Sequence, residues 1–163
     1  MSETNFQNIT RPGGWNTATW GSARLPLSES PAGEPISIPS GSIGSGTLVH
    51  TFPTDINALE EVYLYASNYG SSNVNITMSF ATSSAEAFSG SNQIVAPISN
   101  QNGPILCYPG VPHRSTNPNQ SLKLYVTTGT SDVINVFGYI LRYYPKSSDR
   151  NNTSYGYVLN SND

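Results

Sequence analysis

Val74-Asn75-Ile76-Thr77-Met78-Ser79-Phe80 alternates apolar and polar residues without a break. Successive side chains of a strand point to opposite faces, so this period of two predicts a half-buried β-strand. The neighbouring segments repeat the pattern. Before it, Asn68-Tyr69-Gly70-Ser71-Ser72-Asn73 is a cluster of turn formers. Ahead of that turn, Leu59 to Ala66 sets Val62 and Leu64 on one face and Tyr63 and Tyr65 on the other. Thr47-Leu48-Val49-His50-Thr51-Phe52 is a further strand, ended by Pro53.

On the C-terminal side, Ser83 to Asn92 is small and polar and reads as a loop. Gln93 to Ile98 and Pro104 to Tyr108 are two short strands. Ser121-Leu122-Lys123-Leu124-Tyr125-Val126 alternates again, with Leu122, Leu124 and Val126 inward. Val133 to Tyr144 is the longest run and is apolar on both faces. That marks a central strand with the core on one side and another cover on the other. Gly138 in its middle predicts a bulge or the close approach of another backbone. The best helical window, Thr54 to Glu61 with Asp55 as N-cap, is too short to stand as a helix. About eight short strands separated by turns predict an all-β, jelly-roll-like, two-sheet antiparallel sandwich, with an immunoglobulin-like sandwich as the alternative topology.

Texture divides the chain into three. Residues 1–35 hold Pro12, Pro26, Pro31 and Pro35 among Gly, Ser and Thr. Proline lacks a donor N–H and resists central strands, so this stretch is predicted to be an extended N-terminal arm. Trp15, Trp20, Leu25 and Leu27 give the arm apolar surface that needs burial, and they are expected to anchor it on a partner. Residues 36–145 form the sandwich. Residues 146–163 form a short polar tail in which Tyr155 and Tyr157 are the contact candidates, joined by Tyr143 and Tyr144 at the end of the long strand. Trp15 and Trp20 as a sugar-stacking platform is the competing reading.

Composition narrows the function. Only 10% of the 163 residues are charged, against roughly 25% in an average soluble domain. There are 7 Lys and Arg, 10 Asp and Glu, 2 His and 1 Cys. Acid–base, nucleophilic and metal chemistry all draw on those groups. Neither His50 nor His113 sits near a nucleophile elbow, and two His with one Cys match no zinc spacing. Glu60 and Glu61 point to opposite faces of a strand and read as solvated edge residues. Gly41-Ser42-Ile43-Gly44-Ser45-Gly46 lacks the Lys and the following helix of a phosphate loop. Cys107, in the apolar run Pro104 to Tyr108, reads as a small buried hydrophobe. No catalytic residue, cofactor site or metal site is assigned.

A net charge of −3 argues against nucleic acid, which is bound through many basic contacts. No run of about 18 apolar residues is present to cross a membrane as a helix. Met1 to Thr10 has no basic stretch followed by an apolar one, so no secretory signal is expected. The Asn-x-Ser/Thr triplets beginning at Asn8, Asn75, Asn119, Asn151 and Asn152 read as products of an Asn- and Thr-rich composition. Ten Tyr are many for this length, and tyrosine favours surfaces apolar on one side and wet on the other.

The segment Thr128-Gly129-Thr130-Ser131-Asp132-Val133-Ile134-Asn135-Val136-Phe137-Gly138-Tyr139-Ile140-Leu141-Arg142 resembles the C-terminal strand of tailed-bacteriophage capsid decoration, or cement, proteins. The run holding Gly110-Val111-Pro112 shares the likeness. The resemblance extends in texture over residues 36–145 and in wording over the last strand. It implies a jelly-roll virion protein, often a homotrimer, that clamps the capsomers of the major capsid protein on the outside of the head. It brings no active-site residues. A phage tail or neck receptor-binding module, or a glycan-binding sandwich, is the alternative function.

Overall fold

The structure is a computed structural model and describes residues 20–40, 46–90, 93–100, 103–129 and 133–145. Its strands are β1 (Trp20–Pro26), β2 (Ile36–Ile38), β3 (Thr47–Thr51), β4 (Leu59–Asn68), β5 (Val74–Ala81), β6 (Gln93–Ile98), β7 (Ile105–His113), β8 (Lys123–Thr128) and β9 (Ile134–Pro145). They form two antiparallel sheets. One runs β1-β9-β4-β7, with β2 also paired to β9; the other runs β3-β8-β5-β6. The chain crosses between sheets at most links, with β5 and β6 the consecutive pair kept side by side in one sheet. That is the jelly-roll arrangement the strand spacing predicts. Among the described residues there is no helix.

The core lies between the sheets and follows the alternation. Val62, Leu64 and Ala66 of β4, Ile76 and Met78 of β5, Leu124 and Val126 of β8, and Ile134, Val136 and Ile140 of β9 are all buried there. Each fully buried aliphatic side chain of this kind contributes about 1.5–3 kcal/mol. Thr54–Glu61 does not make a helix. Asp55 instead caps a turn, its Oδ1 accepting the Asn57 N–H at 2.9 Å while its carbonyl accepts the Ala58 N–H at 3.0 Å. β4 begins directly after it.

Gly138 answers to a close approach and not to a bulge. β9 pairs with β4 in continuous register from Leu59↔Tyr143 to Asn68↔Ile134. A Cβ on Gly138 would lie inside the contact radius of the Tyr63 carbonyl oxygen. In this sheet the register breaks fall between β4 and β7, at Glu61/Tyr63 and Leu64/Tyr65, and in the other between β3 and β8, at Leu48/His50; at the β4–β7 breaks the path of β7 is altered. There Gly110 takes φ 81° beneath the Tyr63 ring, and the strand runs on to His113, beyond the expected end at Tyr108.

The N-terminal region differs from expectation. Residues 20–26 are a strand of the sandwich, paired with β9 from Trp20↔Pro145 to Pro26↔Tyr139. β2 then takes up the same edge of β9 from Ile36↔Val136 to Ile38↔Ile134. The sandwich therefore includes much of the stretch assigned to an arm. Its prolines do not prevent this, because Pro26 closes an edge strand and Pro31 and Pro35 lie in the connection to β2. Residues 1–19 and 146–163 lie outside the described residues.

Candidate functional site

Two gatherings of side chains stand out: a buried polar cluster between the sheets and the outer face of the β1-β9-β4-β7 sheet. The buried cluster is centred on Glu60, which is wholly buried. Its Oε2 accepts from His50 Nε2 at 2.7 Å and its Oε1 from Arg142 Nε at 2.5 Å. The expectation of a solvated Glu60 is overturned. β4 alternates as foreseen, but Glu60 falls on its inward face with Val62 and Leu64. The carboxylate is tolerated there because an Arg from the adjacent strand and a His from the opposite sheet meet it.

His50 is fixed on both nitrogens. Nδ1 accepts the Ser28 N–H at 3.1 Å, which puts the ring proton on Nε2, toward Glu60. Ser28 Oγ in turn accepts the Thr51 N–H at 2.7 Å. The cluster thus ties the β1–β2 connection to both sheets. With each ring nitrogen and both carboxylate oxygens engaged, it is built as an inter-sheet staple. Composition could not reveal it, since the three residues come from β3, β4 and β9.

The second histidine, His113, ends β7. Tyr108 Oη lies 2.5 Å from its Nε2, and the ring stacks on Phe80 with centroids 4.0 Å apart. Burial lowers its pKa from the ordinary value. Neither histidine is hydrogen-bonded to a Ser or Thr hydroxyl among the described residues. No group of three or more His, Cys, Asp or Glu is placed to hold a metal among those residues. Cys107 Sγ donates to the Leu64 carbonyl at 3.1 Å, and burial pushes its pKa up to about 12, so the thiolate is suppressed.

The outer face of the β1-β9-β4-β7 sheet is a layer of rings. Tyr63 stacks on Tyr139 with centroids 5.0 Å apart, and Tyr65 on Phe137 at 5.9 Å. Arg24 lies 4.5 Å over Tyr139. β1 and β4 flank β9 from opposite sides, so Tyr139 is held between a guanidinium and a second phenol. Tyr63 and Tyr143 both donate to Glu61 Oε2, at 3.2 and 3.4 Å. Burial among these neighbours, with the Glu61 carboxylate, holds both phenols above their ordinary pKa. Leu106 and Val111 of β7 extend the apolar surface and are exposed.

The expected contact residues divide. Tyr143 stands on this face. Trp20 and Tyr144 lie on the backbone pairs that close β1 and β9. Leu27 does not await a partner, because it is buried in the chain's own core; Leu25 is half-buried and packs against that core. Trp15, Tyr155 and Tyr157 lie outside the described residues. Sequence reasoning set Tyr63 and Tyr65 on the face of β4 opposite Val62 and Leu64. It missed their stacking on β9, because register was needed to set them against Tyr139 and Phe137. Gly46, the last residue of the glycine-rich stretch, is described, and a Cβ there would enter the Phe88 ring; residues 41–45 are outside the described set.

No family model matches this chain, and no curated protein matches it. Among solved structures it is similar to chains of T=1 particles derived from infectious bursal virus, at 12% identity and TM-score 0.46, over 77% of this chain and 33% of the other. It is likewise similar to chains of infectious bursal disease virus strain Gx, at 11% identity and TM-score 0.47, over 78% and 33%. This chain spans about a third of the length of those chains. The likeness is one of partial strand arrangement and carries no argument about what this chain does.

Proposed function

We propose that the chain is a structural virion protein that decorates and stabilises the exterior of a tailed-phage head, binding between capsomers of the major capsid protein as a homotrimer, without catalytic activity. The observation that carries this reading is the outer sheet face, on which the rings of Tyr63, Tyr65, Phe137, Tyr139 and Tyr143 are each left half-buried. A solvated sheet face normally carries polar side chains. A contiguous face of rings marks a surface for contact with protein. The wording of the last strand, which builds most of that face, is also where the likeness to decoration proteins resides. Repeated copies on an icosahedral shell multiply a modest contact into firm attachment.

The glycan-binding alternative is disfavoured at the centre of this face. A sugar stacks on an open ring face, whereas Tyr139 has Tyr63 on one side and Arg24 on the other.

The test is co-sedimentation of the purified protein with empty heads, beside a glycan array. Saturable occupancy of heads, with a rise in their melting temperature, is the expected result. Glycan binding with no occupancy of heads would replace this reading with the receptor-binding one.

A further inference from the structure

Arg24, Leu141 and Glu61 stand in one row on the outer face. Arg24 on β1 is opposite Leu141 on β9, and Leu141 is opposite Glu61 on β4. Ile140 is buried in the core, so the next residue, Leu141, faces outward with Tyr139 and Tyr143. Strands lie about 4.8 Å apart, which puts the cationic and anionic positions about 10 Å from each other with an apolar residue midway.

Both charges are held in place. The Arg24 guanidinium rests on Tyr139, and no carboxylate lies within ion-pair distance of it among the described residues. Glu61 is fixed by the Tyr63 and Tyr143 phenols. A two-fold axis that lies between two such faces, above Leu141 and parallel to β9, sets Arg24 of one copy opposite Glu61 of the other. It also brings the two Leu141 side chains together and lays ring on ring around them. A face that complements itself in this way is the requirement for an isologous contact.

We propose that this face seats a second copy of the chain across a two-fold axis at Leu141, with Arg24 of each copy paired to Glu61 of the other. This deepens the self-association in the reading above and rests on it only there. On a decorated head the contact joins chains of neighbouring trimers. In solution it joins trimers into assemblies of which a hexamer is the smallest, or a chain without a three-fold contact into a dimer.

The experiment is sedimentation velocity of the full chain at micromolar concentration. It compares wild type with Arg24→Glu, Glu61→Arg, the double reversal and Leu141→Cys, with circular dichroism melts to confirm folding. The wild type should have an even-numbered mass. Each single reversal should weaken pairing about tenfold or more, because like charges then meet across the axis. The double reversal should restore it, and Leu141→Cys should form disulfide-linked pairs under mild oxidation. Linking at position 141 is read independently of any loss of stability in Glu61→Arg.

A hexamer supports the two-fold contact and the trimer together. A dimer supports the contact and removes the trimer from the reading. A wild-type trimer overturns the contact and leaves the decoration reading standing, and a monomer overturns both forms of self-association. An even-numbered assembly that ignores both reversals and leaves Leu141→Cys unlinked also overturns the contact.

Discussion

The two sheets treat their outer faces differently. On the β3-β8-β5-β6 sheet, the chain covers its own outer surface. The loop after β5 folds back and plants Phe88 against Ala81, Ala87 and Tyr125, with Leu48 packed at the side. Phe88 has a positive φ of 65°, an unfavourable backbone state for a bulky residue, so packing over-determines it. Ser79 Oγ accepts the Phe88 N–H at 3.2 Å, and Gln93 Nε2 donates to its carbonyl at 2.8 Å. A cleft of about 300 Å³ beside the loop is lined by Thr82, Glu86, Phe88 and Gln93, and Glu86 accepts from Thr82. On the β1-β9-β4-β7 sheet the rings stack on one another instead and stay half-buried. One face is finished within the fold; the other is the face proposed for assembly.

Mutations should separate stability from association along this division. The largest loss of stability is expected at the seam between the sheets. Glu60→Ala strands Arg142 and His50 without their carboxylate and should cost about 3–5 kcal/mol, measured by urea unfolding. An unchanged midpoint would show the staple to be dispensable. Phe88→Ala opens the covered face and should cost about 3 kcal/mol while leaving solution mass unaltered. A variant that retained full stability would mean that the loop covers nothing of consequence. Gly138→Ala forces a methyl group against the Tyr63 carbonyl between β4 and β9, and a loss of about 2 kcal/mol is expected. That substitution should also disturb the ring face, since Tyr63 sits at the collision.

Tyr139→Ala is the counterpart of Phe88→Ala on the open face. It should cost about 1 kcal/mol of stability, from the lost stacking, yet abolish self-association in sedimentation. Equal effects at Phe88 and Tyr139 on both readouts would erase the distinction between the faces. The smallest effect is a pH dependence. Burial sets the folded-state pKa of His113 below its unfolded value of 6.5. Its contribution is therefore fully present above pH 6.5 and is lost as pH falls through the lower folded value. Melting temperature should decline over that window, and His113→Gln should flatten the decline. An identical profile in the variant would place the acid sensitivity elsewhere.

Much of this architecture was legible in the residues themselves. The alternation of Val74, Ile76 and Met78, and of Val62 and Leu64, names the core side of β5 and β4, because a strand's period of two leaves an apolar series only one face to share. Gly138 marked a bulge or a close backbone approach, and the close approach is what β4 and β9 show. Proline content misled at residues 20–26: it reports local preference, whereas the unpaired edge of β9 supplied a long-range partner for β1.

What local pattern could not supply was register and juxtaposition. Glu60 reads as a surface residue until β3 and β9 bring His50 and Arg142 to it, 10 and 82 residues away in sequence. Tyr63 and Tyr139 become a stacked pair, and Arg24, Leu141 and Glu61 a row, only when strands distant in sequence are set side by side. Side-chain alternation is encoded over a few neighbouring residues. The pairing of strands is chosen by the whole buried core, and so it is there that the candidate interaction face is made.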